Sequence, residues 1–297
     1  MISAVRRGEA AVAPVENLTG NEWRGRVGGS WAAEWARTDR SFAELTGCLV
    51  DAIAAALPPH GGTTSRRVLD IECGAGETSL RLADARPDLR ITGLDISEEL
   101  VRVAQGRAHG RTNLQFVWGD AGHWRDEAPF EAAFSRHGVM FFDDPVAAFA
   151  NLHRLAAPGG RLHFACWQDP ADNLWATLPL QTLAALLPTQ PDADPHAPGP
   201  FAFADPARVE AILTSAGWQD VTFDDLPITM TIGEGDDPVV DAVHFNLRIG
   251  PAARLVRDAG PAAEAQAPAL LAAALEPYLT GETLGLPGAV WLVSARA

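Results

Sequence analysis

Arg67-Val68-Leu69-Asp70-Ile71-Glu72-Cys73-Gly74-Ala75-Gly76-Glu77-Thr78-Ser79-Leu80-Arg81-Leu82-Ala83 is the stretch whose reading decides the fold. Its left half, Val68 to Ile71, is a short apolar run suited to a strand covered on both faces. Its right half reads, from Thr78, as the first turns of a helix. Two glycines separated by one residue lie between the halves. A strand that ends in such a turn and feeds a helix collects free backbone N–H groups at one point. It also lets a ligand approach without meeting a Cβ. Turns of this kind hold nucleotide-like cofactors at the carboxyl edge of a parallel sheet.

The dinucleotide fingerprint G-x-G-x-x-G would need a third glycine where Ser79 stands, and it has no required place for Asp70. The run resembles motif I of the class I S-adenosylmethionine-dependent methyltransferases, Asp/Glu-x-Gly-x-Gly-x-Gly. Asp70 matches the acid, Gly74 and Gly76 match the later glycines, and Glu72 stands where the family has its first glycine. The resemblance implies S-adenosyl-L-methionine as cofactor and S-adenosyl-L-homocysteine as product, with Asp70, Glu72, Cys73, Gly74 and Gly76 at the site. Glu72 leaves two readings open. Turned away, it spares the cofactor or holds its ammonium group. Turned inward, it blocks or alters the site.

The pattern continues downstream. The helix finishes between Arg81 and Pro87, and Leu89 to Ser97 reads as a second strand ending in Asp95, 25 residues beyond Asp70. An acid at that edge accepts both hydroxyls of a ribose. This resembles motif II of the methyltransferases and equally the acid of nicotinamide-binding proteins. Ser97 caps the helix Glu98 to Gly106. Asn113 to Ala121 is a third strand, and its Gly119-Asp120-Ala121 step resembles the family's adenine contact. The resemblance adds Ile96 and Ser135 to the cofactor set. Trp118 is expected in the core. Phe130 to Phe142 is strand four and its exit. Asp143-Asp144-Pro145 starts the helix Val146 to Leu155, Pro158-Gly159-Gly160 is a turn, and Arg161 to Trp167 is strand five. This order resembles the small-molecule branch of the family, near the quinone-biosynthesis methyltransferases. Four strand-helix units in succession require a right-handed doubly wound sheet.

Outside this core the pattern loosens. Met1 to about Gly20 reads as a loose leader. From Trp23 to Leu57 apolar residues recur at steps of three or four, which predicts two amphipathic helices broken near Gly28-Gly29. They either cover one edge of the sheet or, with Trp31, form a lid over the cofactor. Pro58 to Gly62 is a linker. Beyond Gln168, helices are expected at Asn173–Leu187, Asp205–Gly217, Pro238–Gly250 and Pro261–Leu279, strands at Val221–Ile232 and Ala289–Ala295, and a loop at Thr189–Pro200. The expected fold class is α/β: a doubly wound, mostly parallel seven-stranded sheet of the Rossmann-like methyltransferase type with an antiparallel last strand. Residues 1–60 form an N-terminal helical lid. Residues 61–297 form the methyltransferase domain, with cap insertions at about 169–204 and 234–285.

A chain of 297 residues can bury a substantial core, and its formal net charge of −15 repels phosphate backbones, which argues against nucleic acid. Three cysteines without a CxxC or Cys/His cluster argue for a reducing compartment and against a metal. Cys48, Cys73 and Cys166 are expected to be buried. No signal peptide and no run of the roughly 18 apolar residues needed for a membrane span is visible. A cytoplasmic monomer or homodimer acting on a small-molecule acceptor is the expectation.

Methyl transfer from a sulfonium needs proximity, orientation and a dry site more than covalent help. A hydroxyl acceptor gains from a base, and His137, at the exit of strand four, is the candidate; the alternative is a histidine satisfied by a backbone carbonyl. His163, inside strand five, reads as structural. Met140, Trp167 and His244 are candidates for the acceptor pocket, and Trp167 and Trp175 suggest an aromatic lining. O-methylation is favoured over C- or N-methylation. Two alternatives stand beside it. One is a protein of the same fold with non-methylating chemistry or a degenerate site, on the strength of Glu72. The other is an NAD(P)-dependent oxidoreductase, against which the missing third glycine counts.

Overall fold

The computed structural model describes residues 20–59, 65–188 and 194–297. The expected leader, most of the Pro58–Gly62 linker and the start of the 189–200 loop lie outside the described residues.

Strands β1 (Arg66–Ile71), β2 (Leu89–Asp95), β3 (Leu114–Trp118), β4 (Phe130–Arg136), β5 (Ala156–Trp167), β6 (Gln219–Glu234), β7 (Leu279–Thr280) and β8 (Thr283–Arg296) form one sheet. Its order is β3-β2-β1-β4-β5-β8-β6, and β7 pairs with β8. The first five strands are parallel; β8 runs antiparallel between β5 and β6. The expected seven strands are therefore present, with a two-residue eighth, β7, that Leu279–Thr280 forms against β8. A last strand inserted antiparallel explains why β8 needs no crossover helix beside β5.

The elements arise where local chemistry asks for them. β1 is buried from Val68 to Ile71, as an apolar run under helices on both faces should be. Ser97, Asp144, Asp205 and Asp237 cap their helices by accepting a backbone N–H, and three of those helices open with proline, which has no N–H to lose. One core packs Leu49, Ile53, Val68, Leu82 and Ile91 on one side of the sheet. A larger one gathers Phe149, Leu162, Phe164, Phe203 and Trp218 with the C-terminal helices.

The N-terminal region differs from expectation. It contains four helices, α1 (Gly20–Trp23), α2 (Arg26–Ala33), α3 (Trp35–Ser41) and α4 (Ala43–Ala56). The chain bends at Glu34 and Phe42, while Gly28 and Gly29 lie inside α2. The reason is packing. A Cβ on Gly28 would meet Ser97 Oγ and the Trp23 carbonyl, each at 2.3 Å, so the glycine is there for close approach and not as a breaker.

Alternating with the strands are α5 (Glu77–Ala85), α6 (Glu98–Arg107), α7 (Pro145–Leu155), α8 (Leu174–Leu183) and α9 (Pro206–Ser215). Between β6 and β8 come α10 (Pro238–Arg248), α11 (Ala253–Ala259) and α12 (Pro261–Leu275). The short α11 has no counterpart in the expected elements, since seven residues are too few for a periodic signal. Helix α8 and the group α10–α12 occupy the two stretches expected as insertions.

Candidate functional site

The carboxyl ends of β1, β2, β3 and β4 open into one cavity of about 500 Å³, roofed by α1–α3 and by the residues that follow α10. Asp70, Glu72, Cys73, Gly74, Asp95, Ile96, Asp120 and Trp31 line it. Gly76, Gly119, Ala121 and Ser135 do not; they shape the walls. Gly76 is the N-cap residue of α5, Gly119 donates its N–H to the Asp95 carbonyl, and Ser135 Oγ accepts the Gly138 N–H at 3.2 Å. Ala121 is buried, and its carbonyl accepts from Asn151 at 2.7 Å.

The strand order sets the order of the acids. Along the edge come Asp120 after β3, Asp95 at the end of β2 and Asp70 in β1. Asp70 is buried and accepts from Ser79 Oγ at 2.7 Å; burial raises it to about 7 against the pull of that hydrogen bond and of Arg136. Asp95 accepts from the Gly74 and Ser97 N–H groups at 2.7 and 2.8 Å, and burial raises it to about 6. Asp120 is more open and takes Gly122 N–H at 2.9 Å, His123 Nδ1 at 3.2 Å and Arg24 at 3.5 Å. Trp118, expected in the core, is 57 % exposed, and its indole N–H is spent on the Ile96 carbonyl.

Glu72 is turned inward. Its backbone is left-handed (φ 54°), and its carboxyl sits against the Ile96 N–H at 3.4 Å. Burial and the charge of Asp95 push its pKa well above the usual range. Gly138 makes room for it: a Cβ there would lie 2.3 Å from Glu72 Cβ. The side chain thus borrows a backbone donor of the nucleoside end of the crevice. The contact is at the long limit of a hydrogen bond, so a nucleoside competing for Ile96 has a weak bond to displace. The inward turn is the reading in which the site is altered; once Glu72 gives up Ile96, the edge offers acids for hydroxyls and for a cation, and the residues present fit S-adenosylmethionine.

The other end of the cavity is aromatic. His137, itself left-handed (φ 61°), stacks on Trp167 at 4.2 Å and 10°, with Phe42 at 5.3 Å from the imidazole and Trp175 at 4.7 Å from Trp167. Both ring nitrogens of His137 are buried without a hydrogen-bond partner. The alternative, a ring satisfied by a backbone carbonyl, is not what the structure shows; only the backbone N–H of His137 meets a carbonyl, that of Ala165, at 3.1 Å. Burial, then the charge of Arg136, holds the imidazole well below its usual pKa, hence neutral. Met140 and Trp167 line the same chamber. His244 does not: its ring nitrogen lies 3.1 Å from Glu34, at the end of α2, because Glu34 is buried there and gathers Arg37 and Arg248 as well. His163 is half-buried within β5, and burial lowers it to about 4. Cys73 and Cys166 are buried, whereas Cys48 is half-buried.

Three residues that sequence reasoning missed join the N-terminal helices to this site. Arg107 of α6 donates to the Ala75 carbonyl in the glycine turn (2.7 Å), to Glu77 (2.9 Å) and to Asp39 of α3 (2.6 Å), and its guanidinium stacks on Trp35 at 4.1 Å. Asp39 lines the cavity, and burial raises it to about 6. Arg136 ends β4 inside the cavity. No local pattern marks them; their partners are distant in sequence.

A parallel sheet with its glycine turn, an acid ending each of the next two units and an inserted antiparallel last strand define the class: the S-adenosylmethionine-dependent methyltransferase fold. Residues 68–160 match the family described as methyltransferase domain. It is 30% identical over 171 residues to demethylmenaquinone methyltransferase of Paenarthrobacter aurescens, covering 54% of this chain and 65% of the relative. It is 32% identical to 27-O-demethylrifamycin SV methyltransferase of Amycolatopsis mediterranei, covering 43% of this chain and 47% of the relative. The chain thus spans just under two thirds of the first relative's length and about half of the second's. Among solved structures, phosphoethanolamine N-methyltransferase 2 of Haemonchus contortus with S-adenosyl-L-methionine superposes with a TM-score of 0.54 at 16% identity, over 94% of this chain and 60% of that one, a likeness of fold.

Proposed function

We propose that the protein transfers the methyl group of S-adenosylmethionine to oxygen of a small apolar or aromatic acceptor. The observation that carries this is the union, in one cavity, of an acidic edge at β1–β3 with an aromatic chamber around His137. The bound cofactor supplies an electrophilic methyl group. Asp95 holds the ribose, Asp120 holds the adenine, and Asp70 faces the cationic end. His137, neutral and with unused nitrogens, accepts a hydrogen bond from the acceptor hydroxyl and orients its oxygen. As the oxygen takes the methyl group and the C–S bond breaks to leave S-adenosylhomocysteine, the hydroxyl proton passes to His137; burial makes the imidazole a weak base, so that transfer comes late in the step. Trp167, Trp175 and Met140 hold the acceptor's apolar body. Residues 20–59 act as a lid, with Trp31 over the crevice, and α8 with α10–α12 forms the acceptor cap. The relatives named 27-O-demethylrifamycin SV methyltransferase and demethylmenaquinone methyltransferase support small-molecule acceptors. Among the described residues no helix is long and apolar enough to cross a membrane, and a cytoplasmic monomer or homodimer fits this role.

A second reading rests on Glu72, whose carboxyl sits at Ile96: a fold retained for non-methylating chemistry or with a degenerate site. Calorimetry with S-adenosylhomocysteine, followed by transfer of a labelled methyl group to a panel of phenols, separates the two. Binding with labelled product supports the methyltransferase. Binding without product favours non-methylating chemistry, and no binding favours the degenerate site.

A further inference from the structure

Arg136 is the one arginine that the cavity shares with β4. Its side chain is only 14% exposed, and Nη1 donates to Thr46 Oγ1 at 2.7 Å. The nearest carboxylate to it in an ion pair, Asp39, stands at 4.0 Å, beyond hydrogen-bond distance. The guanidinium lies 5.0 Å from the centre of the Phe42 ring. A guanidinium carries five N–H donors in a planar fork that matches a carboxylate. Burying that charge is costly unless an anion meets it. A buried fork with a hydroxyl at one corner and a cavity in front is a seat for an anion.

The strand order says which anion. From β3 to β2 to β1 to β4, the edge presents Asp120, Asp95, Asp70 and then Arg136. A nucleoside spanning β3 and β2 points its other end toward β1 and β4. There a carboxylate, Asp70, and a guanidinium, Arg136, feel each other's charge. Such a pair complements a zwitterion, with the ammonium toward the acid and the carboxylate toward the arginine. Arg107, the neighbouring cation, is already spent on Ala75, Glu77 and Asp39.

We propose that Arg136, steadied by Thr46, binds the carboxylate of the amino-acid end of the cofactor. This rests on the reading of the crevice as an S-adenosylmethionine site. The test is calorimetry on the full chain with two ligands that differ only in that group: S-adenosylhomocysteine and its decarboxylated analogue, S-adenosyl-3-thiopropylamine. The wild type is expected to bind the first about 30-fold more tightly, the worth of a charge-assisted pair. Arg136→Met should bring homocysteine binding down to the level of the amine and leave the amine nearly unchanged. Arg136→Lys, which keeps the charge and loses the fork, should fall between. Equal wild-type affinity for the two ligands overturns the proposal without any variant, so a failure of Arg136→Met to fold does not shelter it. So does an equal loss of both ligands in a folded Arg136→Met. Unchanged homocysteine binding with a raised acceptor KM assigns the anion to the acceptor and also overturns it. A wild type that binds neither ligand defeats the cofactor reading itself.

Discussion

The two ends of the cavity are built in opposite ways. The acidic end comes from β1, β2 and β3 and the turns that follow them, and Asp70, Glu72, Asp95 and Asp120 each lie within two residues of the end of a strand. The aromatic end draws on Phe42 from before the sheet, His137 after β4, Trp167 at the end of β5, Trp175 in α8 and Phe245 in α10. At the first end, backbone geometry delivers the groups. At the second, side-chain packing between distant elements does. On the proposed function, the difference teaches that the cofactor end tolerates little change in its few polar contacts, while the acceptor end carries the freedom to choose a substrate.

The sharpest way to break this contrast is at Asp95. Asp95→Ala removes a buried acceptor of two backbone N–H groups and, on the proposed function, of the ribose. Affinity for S-adenosylhomocysteine should fall about 10²-fold or more in calorimetry, with the acceptor KM unmoved. A loss confined to the acceptor side would erase the division between the two ends.

His137→Phe tests the other end with a smaller effect. It keeps the stack on Trp167 and removes the two unpartnered nitrogens. Turnover should fall about 10²-fold, the low end for acid–base assistance, while cofactor affinity stays within about twofold. An unchanged turnover would leave the chamber a matter of shape alone.

Glu72 gives the smallest effect and sharpens the comparison most. Glu72→Gly relieves a left-handed glutamate, of order 1 kcal/mol, and frees the Ile96 N–H, so affinity should rise about fivefold. A large loss would make Glu72 itself a ligand. The same titration should be run against pH. Burial raises Asp95 to about 6 and Asp70 to about 7, and Glu72 well above its usual range. These acids hold protons in the folded protein at pH values where the unfolded chain, with carboxyl pKa values of about 4, has released them. Folded stability therefore falls as pH rises from about 4 to 7. S-adenosylmethionine, a sulfonium cation, favours the ionised acids, so its affinity, titrated in place of S-adenosylhomocysteine, should rise over the window between about pH 5 and 8. Loss of the Glu72 carboxyl should flatten that rise.

Much of this was legible along the chain. Asp70, Asp95 and Asp120 could be named because the strand-turn-helix repeat places each at a strand's end, and caps such as Ser97 and Asp144 are local hydrogen-bond chemistry. The failures share a cause. Gly28 looks like a breaker until Ser97 is seen against it, Trp118 looks like core until β3 proves to be the sheet's edge, and His244 looks like a pocket residue until Glu34 takes it.

The sequence by itself determined the doubly wound sheet and the acids along its carboxyl edge, because hydrophobic period, glycine turns and caps act over a few residues. Only the tertiary structure decided that Glu72 turns inward over a space Gly138 leaves open, that Arg107 ties α3 to the glycine turn, and that Arg136 faces the crevice with donors to spare. Those outcomes depend on which distant groups meet, and contact between elements far apart in the chain is set by packing, not by neighbours in sequence.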